Sequence, residues 1–361
     1  MAKNALITKE TAIATTKKSK TGSIKDAVTK TFGDQIILDG RALVDNKLMI
    51  IPVSPVIDIL LGGGVPEGSF MVLTGQPKCG KTTTSLDFAA TAQQEKYNGT
   101  NGPRHVYYLN IEGRLKKRDL EGIAGLDLDR FHIIGSQQGK ILRAEEYLQI
   151  AERIINEEPE CVLIIDSYSA LCTEAEITSD MSKMQRADGA KLLAKFCRKV
   201  ANVIPVNKNI VIGITHLMGN PTGYGAEFKE KSGQAVAYQT DIKLRAKTFK
   251  SWVLSGDNTP IGQEIEWTVV CSAIGPPGAS MTSYVRYGQG IDKAKELVML
   301  GSDFGLIKAA GAWYTTEFMG EKAQKFQGAE KVRDFLLENP EAYEELYSKI
   351  KEMMGIKNVS V

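Results

Sequence analysis

The chain has 361 residues, 43% of them hydrophobic and 24% charged, and a formal net charge of +2. This is ordinary for a globular protein with room for one large domain and one or two small appendages, and any nucleic-acid surface would have to be local. No apolar run approaches the roughly 20 residues of a membrane span, and the Lys-rich start lacks a secretory apolar stretch, so the expectation is a cytoplasmic protein without a membrane partner.

Residues 1–22, rich in Lys, Thr, Ser and Ala, read as a flexible basic tail that is either a solvated arm or one that meets DNA or a neighbour. From Ser23 to Gly33 a plausible N-cap, apolar residues at helical spacing and a closing glycine predict a short amphipathic helix. Such a helix cannot bury its face alone, which makes 23–50 a candidate oligomerisation segment. The core, 51–290, alternates strands and helices in the βαβ manner: strands at 69–74, 105–111, 131–134, 161–165 and 209–214, helices near 82–95, 144–157 and 186–203. After residue 240 the strands 241–247, 264–271 and 283–287 follow one another as an antiparallel extension. A final segment, 291–361, is mixed in charge and shows helical patterning, with Glu341–Met354 as its last helix, and is expected to form a small C-terminal α/β domain. The fold class is α/β, a mostly parallel twisted sheet with helices on both faces. The five cysteines, Cys79, Cys161, Cys172, Cys197 and Cys271, are odd in number and scattered, against both a disulfide framework and a zinc site.

One stretch organises this core. Gly75-Gln76-Pro77-Lys78-Cys79-Gly80-Lys81-Thr82, followed by Thr83, sits between a strand and a helix, the context a phosphate loop requires. Its glycines let successive backbone N–H groups curl toward phosphate oxygens, and the helix N-terminus adds its positive end. Lys81 would reach the β- and γ-phosphates, and the Thr82 hydroxyl would take a Mg²⁺ position. The apolar run Cys161–Ile165 ends in Asp166-Ser167, a Walker B strand whose carboxylate would serve the same ion. Glu112, ending the strand 105–111, is the best placed carboxylate to orient or deprotonate water. Ile210–Ile214 ends in Thr215-His216 on the same edge, where His216 could sense the γ-phosphate and signal to the next loop. That loop, 217–234, carries Lys229, Lys231, Gly233 and Gln234 and has no apolar periodicity; a second irregular stretch, 173–186, carries Lys183 and Arg186. Two partly basic loops leaving one edge suggest a polyanion surface whose affinity depends on nucleotide.

From about residue 23 to 354 the order of landmarks resembles the RecA-type DNA strand-exchange recombinases, including their UvsX-like phage branch. The residues carrying the likeness are Val65-Pro66-Glu67-Gly68, the phosphate loop, Asn110-Ile111-Glu112, Ile164-Ile165-Asp166-Ser167 and Gly213-Ile214-Thr215-His216. Further on come Ser232-Gly233-Gln234-Ala235, Tyr287-Gly288-Gln289-Gly290-Ile291, Gly311-Ala312-Trp313-Tyr314 and Glu338-Asn339-Pro340-Glu341, the last two similar to a small C-terminal domain. The resemblance implies ATP and Mg²⁺ as cofactors and a DNA-dependent ATPase that forms a homo-oligomeric filament on single-stranded DNA and pairs it with homologous duplex DNA. A single-strand-binding protein and a loader are further implied partners. It also implies that Glu112 activates water, that His216 stands at the sensor position as in the phage branch, that the loops 173–186 and 217–234 bind DNA, and that Tyr238 links the second loop to a subunit interface. Two departures stand out. Cys271 and Ala273 occupy positions where bacterial members carry lysines that reach a neighbour's γ-phosphate, leaving Lys243 or Arg286 to substitute or the coupling weaker. The adenine-stacking tyrosine has no counterpart, Asp119 or Leu120 lying nearest. A ring-forming helicase on the same fold and a recombinase-like mediator with little catalysis remain the rival expectations.

Overall fold

The computed structural model describes residues 20–33, 36–180, 188–219, 228–230, 234–253, 259–273 and 275–356. The residues before Leu48 form one unit and those from Leu48 on a second. In the first, α1 (Lys20–Phe32) begins three residues before the predicted Ser23, and α2 (Gly40–Asp45) follows. Ile24, Phe32, Leu43 and Val44 on these helices stay exposed. The rest of the predicted tail lies outside the described residues.

The second unit is built on a ten-stranded sheet. Its strands are β1 (Phe70–Gly75), β2 (Val106–Asn110), β3 (Phe131–Ile134), β4 (Val162–Asp166), β5 (Ile210–Gly219), β6 (Phe228–Glu230), β7 (Ile242–Val253), β8 (Pro260–Cys271), β9 (Ser280–Arg286) and β10 (Gly290–Ile291). The order is β10-β9-β8-β7-β1-β5-β4-β2-β3, with β6 paired to the end of β5. The strands from β7 to β3 along that path are mutually parallel; β8, β9 and β10 extend the sheet in antiparallel fashion, as predicted.

Every residue of β1 and β4 is buried, because helices cover both faces. Alternation sends Met71, Leu73, Ile164 and Ile212 to one apolar layer with Leu86 and Phe88 of α4 (Lys81–Ala92). Phe70, Val72, Leu163 and Val211 point the other way, to Leu148 and Ile155 of α6 (Ala144–Glu157) and Phe196 of α7 (Asp188–Val200). Two short helices precede these in chain order, α3 (Pro55–Leu61) before the sheet and α5 (Lys117–Glu121) after β2. Burying each large aliphatic side chain contributes about 1.5–3 kcal/mol, so the two layers fix the register of the parallel strands. The register in turn aligns their carboxyl ends: Gly75 stands opposite His216, and Asn110 opposite Asp166.

Three expectations need correction. The stretch 217–234 is not loop throughout: β5 runs on to Gly219 and pairs antiparallel with β6, Leu217 opposite Glu230 and Met218 opposite Lys229. Only three backbone pairs join the two strands, too few for a side-chain period to be read. After the hairpin comes α8 (Gln234–Gln239), with Tyr238 on it exposed. The stretch 173–186 begins with a helical turn, Glu174–Thr178, because Thr173 accepts from Glu176 N–H while the Glu176 carboxylate accepts from Thr173 N–H. Finally, the C-terminal segment is the expected small α/β domain, but its patterning showed only the helices and not the strands. Between α9 (Lys293–Asp303) and the last two helices, α10 (Ala329–Glu338) and α11 (Pro340–Met353), lies a three-stranded antiparallel sheet of Lys308–Ala310, Trp313–Thr315 and Lys325–Gln327. Among the described residues no helix is long and apolar enough to cross a membrane. All five cysteines are free, with Cys79, Cys161 and Cys197 buried.

Candidate active site

The phosphate loop leaves β1 and enters α4. Gly80 caps that helix at φ 77°, in the left-handed region open to glycine, so the loop turns sharply without strain. Lys81, 4% exposed, donates from Nζ to the carbonyls of Gly75 at 3.1 Å and Gln76 at 2.7 Å. The ammonium therefore ties the two ends of its own loop together. Pro77 through Thr83 line a cavity of about 870 Å³, roomy enough for a nucleotide; Gly75 and Gln76 contribute carbonyls behind the wall.

Across the cavity stand Asp166, Glu112 and His216, brought to one lip by the aligned strand ends. Asp166 Oδ2 accepts from Thr82 Oγ1 at 2.8 Å and from the Tyr108 hydroxyl at 2.5 Å. Burial pushes the Asp166 carboxyl up from its ordinary range, and the nearby Glu112 charge adds to that. Glu112 behaves oppositely. Its Oε1 accepts from His216 Nε2 at 2.5 Å and from the Ser167 hydroxyl at 2.6 Å, and the histidine contact holds this carboxyl down at about 2. A carboxylate only accepts, so His216 carries its proton on Nε2; its Nδ1 is buried without a partner. Such a weakly basic Glu112 suits holding and orienting a water better than abstracting its proton outright.

The donor set fits a hard cation. Asp166 and Thr82 offer oxygen only, the buried carboxylate has hydroxyl rather than cationic hydrogen-bond partners, and a divalent ion would relieve its repulsion with Glu112. Among the described residues no cluster of three or more His, Cys, Asp or Glu side chains gathers at metal-binding range. Mg²⁺ is usually held by one or two protein groups together with water and substrate phosphate, and Asp166 and Thr82 would supply two such groups.

The far wall is formed by Asp119, Gly122, Ile123 and the turn Tyr287–Gly290. A Cβ at Gly122 would come within 2.4 Å of the Gly288 carbonyl, so α5 and the turn close on each other only because this residue is glycine. Of the two residues expected nearest an adenine, Asp119 lines the cavity, whereas Leu120 packs against the core. Sequence reasoning missed Tyr108, read as an ordinary strand residue, and Tyr287, about half exposed at the mouth; the Tyr-Gly-Gln-Gly spacing was its signal. Arg286 also borders the cavity, yet its guanidinium is occupied by Asp292 at 2.9 Å and Glu330 at 3.3 Å and lies 4.7 Å from the Trp252 ring centre. Lys243 is buried opposite Cys271 on the neighbouring strand.

Two family models match the chain: the RecA N-terminal domain over residues 21–292 and the RecA C-terminal domain over residues 295–355. The chain belongs to the RecA family. Its role is that of a RecA-type recombinase. Similar relatives are the RecA proteins of Lactobacillus johnsonii, 29% identical over 91% of this chain and 87% of the relative, and of Thermotoga neapolitana, 28% identical over 94% of each. The RecA protein of Kineococcus radiotolerans is 28% identical over 91% of this chain and 90% of its own length. The RecA N-terminal match contains the whole cavity wall described above. Of the residues expected at the DNA loops, Lys183, Arg186, Lys231 and Gly233 lie outside the described residues. Lys229 sits in β6 and Gln234 opens α8.

Proposed function

We propose that this RecA-family chain is a DNA-dependent ATPase that hydrolyses ATP to ADP and phosphate and forms a homo-oligomeric helical filament on single-stranded DNA. In that filament the strand is paired with homologous duplex DNA and exchanged. One observation carries the reading: His216, in contact with Glu112 at the phosphate-loop lip, lies on the same strand whose end forms the β5/β6 hairpin. A change at the γ-phosphate therefore has a two-residue path to the segment expected to hold DNA. Mg²⁺, held between Asp166 and Thr82, would neutralise phosphate charge. Lys81 exchanges its loop carbonyls for phosphate oxygens, Glu112 orients water, and His216 reports the γ-phosphate to the hairpin. DNA affinity is sequence-independent and comes from Lys183, Arg186, Lys229 and Lys231 against the DNA backbone, with Gly233 and Gln234 as further DNA-binding residues; recognition comes from base pairing. A single-strand-binding protein and a loader are the expected accessory partners, in the cytoplasm of a bacterial or phage-infected cell.

The test is displacement-loop formation between a labelled single-stranded oligonucleotide and homologous supercoiled duplex. Product is expected with ATP and Mg²⁺ and not with a heterologous duplex. No product under any nucleotide overturns the reading. Replacing Lys229 and Lys231 with alanine is expected to weaken oligonucleotide binding and reduce the salt slope by about two; an unchanged slope removes that loop as the DNA contact.

A further inference from the structure

Glu112 uses its two oxygens unequally. Oε1 is taken by Ser167 and His216, whereas Oε2 has Arg114 Nη1 at 3.8 Å. Arg114 lines the cavity, and its side chain is 82% exposed. An exposed ion pair of that length holds its members by no more than about 1 kcal/mol, so this guanidinium is released at little cost.

The other lysines and arginines on the wall are Lys78 of the phosphate loop, Lys81, Arg118 and Arg286, and none of them contacts Glu112. Lys81 is tied to two loop carbonyls, and Arg286 to Asp292 and Glu330. Arg118 stands beside Asp119, Nε to Oδ1 3.6 Å, on the α5 wall that faces the Tyr287–Gly290 turn. Phosphoryl transfer spreads negative charge over the γ-phosphate oxygens, and a guanidinium placed there late in the reaction stabilises the transition state more than the bound substrate. Arg114 adjoins the one Glu112 oxygen left open to the cavity, the oxygen that would face the attacking water.

We propose that Arg114 is a catalytic residue acting within its own chain: its guanidinium turns from Glu112 Oε2 to a γ-phosphate oxygen as the bond to the leaving ADP breaks. This rests on the nucleotide-site reading above. In the step, the water oxygen bonds to the γ-phosphorus, the bridging bond to the ADP β-phosphate oxygen breaks with its electron pair on ADP, and the water proton leaves on inorganic phosphate. Glu112 holds the water through Oε2, and Arg114 compensates the charge gathering beside it. The planar fork can contact two phosphate oxygens at once, which a lysine ammonium cannot do in the same geometry.

The test compares a ground-state ligand with a transition-state mimic, by displacement of a fluorescent ADP analogue, alongside steady-state turnover. Arg114→Ala is expected to change ATPγS affinity less than about 3-fold, while ADP–aluminium fluoride affinity and kcat each fall about 100-fold. Arg114→Lys should recover part of both losses, and Arg118→Ala should leave the ratio of the two affinities unchanged. If Arg114→Ala weakens both ligands equally, or neither, the proposal is overturned. Lys81→Ala separates that failure from failure of the underlying reading, since a Lys81→Ala protein that binds ATPγS normally would remove the nucleotide site itself.

Discussion

Buried carboxylates occur in two places in this molecule, and the contrast between them identifies the site better than either does alone. At the joint beneath the C-terminal segment, Asp58 of α3 accepts from Val53 N–H at 2.7 Å and from the Tyr347 hydroxyl of α11. Nearby, Glu296 of α9 accepts from Val56 N–H at 3.0 Å and from the Ser283 hydroxyl. Burial raises both carboxyls to about 7. Each oxygen there has its donor, and neither residue borders the cavity. At the lip, Asp166 is also raised by burial, but Glu112 beside it is held down at about 2, and its Oε2 has only the exposed Arg114 guanidinium, 3.8 Å away. A perturbed carboxyl is therefore no sign of function by itself. What separates the lip from the joint is place: Asp166 and Glu112 both line the cavity beside the phosphate loop.

The sharpest way to break this contrast is Lys81→Ala. It should reduce ATP turnover at least about 100-fold while leaving the urea midpoint of the joint unchanged, as read by phosphate release and denaturation on one preparation. Glu112→Gln should lower kcat by about 100-fold or more with nucleotide binding retained. A matching loss of ATPγS affinity would mean that Glu112 serves binding and not the reacting water.

The joint should answer to pH instead. Asp58 and Glu296 are raised in the folded state, so between the unfolded value of about 4 and the folded value the native chain binds more protons, and stability falls as pH rises. From pH 5.5 to 7.5 the expected loss is roughly 2–4 kcal/mol for the pair, flattening above pH 8. The Asp58→Asn, Glu296→Gln double variant should lose most of that slope in urea titrations at several pH values. Persistence of the full slope would place it elsewhere. The smallest effect is expected from Tyr347→Phe, which leaves Asp58 Oδ2 without its donor at about 1–3 kcal/mol of stability and no change in KM.

Much of this was legible beforehand, for reasons particular residues show. The buried strands Val162–Asp166 and Ile210–Gly219 announce themselves as apolar runs, and their parallel order brings Asp166, Glu112 and His216 to one edge. Helix α3 was missed because Pro55–Leu61 is buried on every side and too short for a period to emerge, although Ser54 and Pro55 were valid start signals. Strand β6 and the strands of the small C-terminal sheet are three residues each, below the length at which alternation can be read. Tyr108 and Arg114 were invisible for another reason. Their roles depend on which neighbour a side chain meets across the sheet edge, and spacing along the chain does not encode that.

The central claim is that the nucleotide at the lip governs the grip on DNA through Glu112, His216 and the hairpin. Fluorescence anisotropy of a labelled single-stranded oligonucleotide tests it directly, comparing ATPγS with ADP at fixed salt. The account predicts at least about 10-fold tighter binding with ATPγS, equivalent to about 1.4 kcal/mol, and loss of the difference in Lys81→Ala. Equal affinity with the two nucleotides in the wild-type protein would contradict it.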